Sequence, residues 1–80
     1  MPRYFFDVYD GEKCTPDHVG LEMEDSHAAQ QAAVKALPDV ARDVLPDGTR
    51  REFVIEVKDE ARRPILRARL SLTVETILNV

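Results

Sequence analysis

From Arg51 to Val74 apolar and polar residues alternate in two runs, separated by a polar break at Asp59–Arg63. A period of two marks a strand with one covered face, so the stretch predicts a long β-hairpin. Phe53, Ile55 and Val57 share one face with Leu66, Ala68, Leu70, Leu72 and Val74. The other face takes Glu52, Val54, Glu56 and Lys58, then Ile65, Arg67, Arg69, Ser71 and Thr73.

The chain before the hairpin looks built to cover one side of it. Arg3 to Tyr9 is dense in aromatic and β-branched residues and predicts a first strand, with Tyr4, Phe6 and Val8 inward and Phe5, Asp7 and Tyr9 on the open side. Asp10-Gly11 ends it, because Gly11 tolerates the positive φ of a turn. Residues 12–18 read as a loop, and Val19 to Met23 as a short second strand weakened by Gly20.

Asp25 or Ser26 then caps an alanine-rich helix. Its apolar stripe (Ala29, Ala33, Leu37, Val40, Ala41 and Val44) passes Pro38 without a change of phase, which predicts one kinked helix to Leu45 rather than two. Pro46-Asp47-Gly48 would stop it. The expected fold is α+β: a single domain over residues 1–80, with one helix on one face of a small antiparallel sheet of three or four strands. We expect the first strand to lie against the last and the hairpin's first strand to form an edge, bringing Asp7 near Arg67 or Arg69; the alternative is a right-handed crossover that makes the first and third strands parallel neighbours. Glu75 to Val80 either extends the last strand or packs on a second copy.

Composition narrows the picture. An 80-residue chain has a small core, which oligomerisation would supplement. One cysteine, Cys14, rules out an internal disulfide and suits a reducing compartment. The start resembles no signal peptide and no apolar run would span a bilayer, so a cytoplasmic protein is expected. The net charge of −4 is uneven: the first thirty residues carry seven acids against two bases, while Arg50, Arg51, Lys58, Arg62, Arg63, Arg67 and Arg69 gather in and around the hairpin. Mutual neutralisation is the simpler outcome, since an acidic whole opposes long-range attraction to nucleic acid.

Met1-Pro2-Arg3-Tyr4-Phe5-Phe6, Asp10-Gly11, Asp17-x-x-Gly20-x-Glu22, Asp25 and the alanine-rich helix together resemble a family of short, uncharacterised bacterial proteins. Val57-Lys58-Asp59-Glu60-Ala61 also fits it. That family, abundant in rhizobial-type alphaproteobacteria, is a domain of unknown function. The resemblance implies this fold and supplies no activity, ligand or catalytic residue. Many relatives carry histidine where this chain has Asp7. Relatives often carry glycine where it has Arg62, so a positive φ at Arg62 would be strained.

Candidate chemistry is sparse. Cys14 and His18 lie near Asp10, Asp17 and His27, but a zinc site commonly needs four ligands in tighter paired motifs. A thiolate nucleophile would need a base and an oxyanion site besides. The three glycines are too far apart for a phosphate loop. No catalytic residue, cofactor or metal site is expected. The open face is the stronger candidate: Phe5, Tyr9, Val54, Ile65, Arg67 and Arg69 form an expected interaction surface. Another protein chain, or a second copy, is the favoured partner. Single-stranded nucleic acid, through Arg67, Arg69, Tyr9 and Phe5, is the alternative. Neither a membrane nor a small-molecule ligand is expected.

Overall fold

The two alternating runs pair as a hairpin, and the helix lies across one side of the sheet it belongs to. A computed structural model describes residues 1–44 and 50–78. The elements are β1 (Arg3–Tyr9), β2 (Cys14–Thr15), β3 (Leu21–Glu22), α1 (Ser26–Val44), β4 (Arg50–Lys58) and β5 (Pro64–Thr73). The sheet runs β2-β1-β4-β5, with β3 also on β1, and every pairing is antiparallel.

The helix begins where Asp25 Oδ1 accepts the Ala28 N–H at 2.9 Å, satisfying one orphan donor of the first turn. It runs through Pro38 as one element. Ala29, Ala33, Leu37 and Ala41 are buried against Tyr4, Phe53, Ile55 and Val57, with Phe6, Val8 and Val40 packed around them. Small helix residues let the backbone approach closely, and the large side chains come from the sheet. The expected stop at Leu45 and Pro46-Asp47-Gly48 lies outside the described residues.

Strand order differs from the expectation. β1 lies against β4, not β5, so the hairpin's first strand is central and its second forms the edge. The reason is volume: Phe53, Ile55 and Val57 of β4 are the largest fully buried side chains, so this strand belongs under the helix with neighbours on both sides. Asp7 consequently stands opposite Glu56 rather than Arg67 or Arg69, and it pairs with Lys58.

Two local differences follow along β1. Cys14 and Thr15, read as loop, pair with Tyr9 and Val8; the second strand narrows to Leu21–Glu22 opposite Tyr4 and Arg3. Residues 14–22 thus make an interrupted edge, broken by the loop at residues 16–20. Beyond β5, residues 74–78 form no regular element and Ile77 is 91% exposed. Among the described residues no helix is long and apolar enough to cross a membrane.

Candidate interaction surface

On the sheet face away from the helix, register places side chains in rows. Asp7, Glu56 and Arg67 stand in one row; Tyr9, Val54 and Arg69 stand in the next. Lys58 Nζ lies 2.7 Å from Asp7 Oδ2 and 3.9 Å from Glu56 Oε1. Arg67 Nε donates to Glu56 Oε2 at 2.5 Å, and an Arg69 NH donates to Glu52 Oε1 at 2.9 Å. Lys58, Arg67 and Arg69 thus each have an acid within ion-pair distance, and these charges neutralise one another locally.

Phe5 stands on this face but is not exposed, a correction to the surface expected from sequence. Its ring is covered by the Arg62 guanidinium, whose carbon lies 3.7 Å from the ring centre, and Phe5 is 7% exposed. Tyr9 is 38% exposed, and its hydroxyl donates to Gly11 O at 3.0 Å. Val54 is half-buried, and Ile65 is exposed where β5 bulges beside Val57 and Lys58. Tyr9, Val54, Arg67 and Arg69 thus share one patch, while Phe5 lies beneath a lid.

That lid is Arg62 together with the loop at residues 16–20, and Asp17 organises the loop. Asp17 Oδ1 accepts the Val19 and Gly20 amides, each at 3.0 Å. Its Oδ2 accepts the Phe6 N–H at 3.1 Å, replacing the strand partner that β1 lacks at this point. In return the Asp17 N–H donates to Asp7 Oδ1 at 2.9 Å, and Asp17 O accepts from Arg62 at 3.2 Å. Burial pushes both carboxyls up. For Asp7 the Asp17 amide and the Lys58 ammonium outweigh it; for Asp17 the Gly20, Phe6 and Val19 amides do. Both end below the ordinary carboxylate range, and the Asp7 bond holds Lys58 above its own.

Gly20 completes the fit with φ +75. A Cβ there would lie 2.9 Å from both the Phe5 ring and Tyr4 O. Read from sequence, Asp17 belongs only to the loop at residues 12–18. The Asp17-x-x-Gly20 spacing was the available signal, since a carboxylate bonding two and three residues on is the usual Asx geometry.

The other surface is the sheet's far edge. Phe6 turns its N–H outward to Asp17, so backbone alternation aims Phe5, Asp7 and Tyr9 at β4. Their partners Lys58, Glu56 and Val54 answer β1, which leaves Val57, Ile55, Phe53 and Arg51 to bond β5 through Leu66, Ala68, Leu70 and Leu72. The backbone groups of Arg67, Arg69, Ser71 and Thr73 therefore point away from the sheet, where no described element pairs with them. Beside this edge runs a groove of about 590 Å³ between α1 and β5, lined in part by Val34, Leu37, Leu66, Ala68 and Leu70. Val34 and Leu70 are exposed in it.

Cys14 and His18 are both exposed. Among the described residues no three His, Cys, Asp or Glu side chains converge as metal ligands.

One helix on an antiparallel sheet, with one sheet edge interrupted and the other long, defines a small α+β protein. Residues 3–71 match the pattern of a domain of unknown function (DUF6894), and the chain belongs to that family. No curated protein and no solved structure matches the chain.

Proposed function

We propose that this protein is an interaction module, not an enzyme, and that it takes an extended protein segment along the outer side of β5. The observation that carries the reading is the ten-residue edge strand whose alternate backbone groups face outward beside an apolar groove. Long edges are normally blunted by charge. Here Arg67 and Arg69 lean back onto Glu56 and Glu52, leaving the backbone approachable. The opposite edge offers far less, being two-residue strands joined by the Asp17 loop. The same reading includes a bacterial, cytoplasmic setting, motivated by the Met1–Phe6 opening and the lone cysteine.

The test is Ser71→Pro. Proline there removes an outward N–H while sparing the bonds to β4, as edge strands tolerate. Light scattering and pull-down should show the wild-type chain associating, with itself or with another protein, and Ser71→Pro losing that association while keeping its circular dichroism. A wild-type chain that stays monomeric and captures nothing defeats the reading.

Single-stranded nucleic acid is the lesser reading, because Phe5 is covered and both arginines are already paired. Fluorescence anisotropy with a labelled oligonucleotide should show no binding even at low salt, where phosphate contacts are strongest.

A further inference from the structure

We infer that the segment added to β5 is β5 of a second copy, running antiparallel about a two-fold axis through Ser71. This rests on the interaction reading above and names its partner.

The argument is one of charge along the edge. Residues whose backbone faces outward carry their side chains on the open face. In order they are Arg67, Arg69, Ser71 and Thr73, with Glu75 next in the alternation. The first half is cationic and the second is hydroxyl or acidic, so the strand complements its own reverse. Centring the pair on Ser71 sets Arg67 opposite Glu75 of the second copy and Arg69 opposite its Thr73. Centring on Arg69 sets Arg69 against itself, and centring on Ala68 sets Arg67 against Arg69. Like charges directly opposite destabilise an antiparallel pair. Centring on Leu70 sets the arginines against Ser71 and Thr73 without any pair of opposite charges, and centring on Leu72 pairs Arg69 with Glu75 but sets Arg67 against Ile77, four residues past the end of β5.

The apolar side agrees. On the Ser71 centre, Leu70 meets Leu72 of the second copy and Ala68 meets its Val74. Leu70 is 39% exposed and Val74 is 53% exposed, so both carry surface for such a partner to cover. An axis perpendicular to the sheet puts both helices on the same side. The two leucine pairs then lie between the two helix–strand grooves, and the sheets join into one. Val74 and Glu75 extend the strand by one further step in the pair, which gives the exposed Val74 a structural use.

The experiment is sedimentation equilibrium on the wild type and four variants, with circular dichroism as the control for folding. The wild type should be a dimer at micromolar concentration. Ser71→Pro should remain folded and lose dimerisation at least a hundredfold, because it removes both bonds of the central ring. Arg67→Glu and Glu75→Arg should each weaken the dimer roughly tenfold, each change striking two symmetric pairs. The double variant should bind at least severalfold more tightly than either single variant, stopping short of wild type because Arg67→Glu also removes the bond to Glu56.

A wild-type monomer whose capture of another protein is abolished by Ser71→Pro overturns self-pairing and leaves the interaction reading standing. A wild-type monomer that captures nothing overturns both. A dimer that survives Ser71→Pro overturns the edge as its interface, and failure of the charge reversal to rescue overturns the Ser71 register.

Discussion

The Arg62 guanidinium lies over Phe5 with its carbon 3.7 Å from the ring centre, and Arg62 does so from a left-handed backbone with φ 65. The hairpin turn demands that conformation. Arg62 N–H donates to Asp59 O at 2.9 Å and Asp59 N–H donates to Arg63 O at 3.0 Å, the pattern of a tight turn followed by one left-handed residue. A position suited to glycine is thus given to a side chain that covers an aromatic ring.

Substitutions at Arg62 separate the two effects. Arg62→Ala keeps the backbone strain and loses the ring contact, so it should destabilise by about 1 kcal/mol. Arg62→Gly loses the same contact but relieves a left-handed cost of about 1–2 kcal/mol, and should lie near wild type. Urea midpoints in the order glycine above alanine are expected. The reverse order would deny the left-handed turn.

Asp17→Ala should be among the more damaging surface changes. It strips acceptors from the Phe6, Val19 and Gly20 amides at once, and a loss of about 2–3 kcal/mol is expected. Hydrogen exchange gives a sharper readout: the Phe6 amide should lose protection while the β4 amides facing β5 keep theirs.

Stability should rise with pH through the acid range. Asp7 and Asp17 titrate lower when folded, so the unfolded chain takes up protons first, beginning near its unperturbed value of about 3.9. Their contribution is complete above that value and is lost as pH falls through the folded ones. Lys58 titrates higher when folded. Its contribution is complete below about 10.4 and fades as pH rises through the folded value. Urea unfolding across pH should show a plateau with a shoulder at each end. Asp7→Asn should reduce the acid shoulder to the share of Asp17 and should reduce the alkaline one, because Lys58 then keeps only Glu56.

Ala33 measures how closely the helix sits. Ala33 is fully buried against the sheet, so Ala33→Leu must push the helix outward or force neighbours from their rotamers. A loss of about 1–3 kcal/mol in thermal or urea unfolding is expected. Val34→Leu, one residue along and exposed in the groove, should change little.

Much of this architecture is local and was therefore readable. Phe53, Ile55 and Val57 alternate with charges because a strand has period two. Ala29, Ala33, Leu37 and Ala41 recur at helical spacing because a helix has period 3.6. Those rules involve neighbours in the chain, and they determine which faces are apolar, where the strands and helix lie, and that the fold is α+β. Alternation could not decide which hairpin strand receives β1, because β4 and β5 present equally apolar inner faces. Tertiary packing decided it by giving the central place to the strand with the bulkiest buried side chains. That choice exposed β5 as the long edge, sent Asp7 to Lys58 rather than to an arginine, and let the Asp17 loop and Arg62 close over Phe5. Each of these depends on groups far apart in sequence meeting at van der Waals or hydrogen-bond distance, and periodicity along a chain carries no record of such meetings.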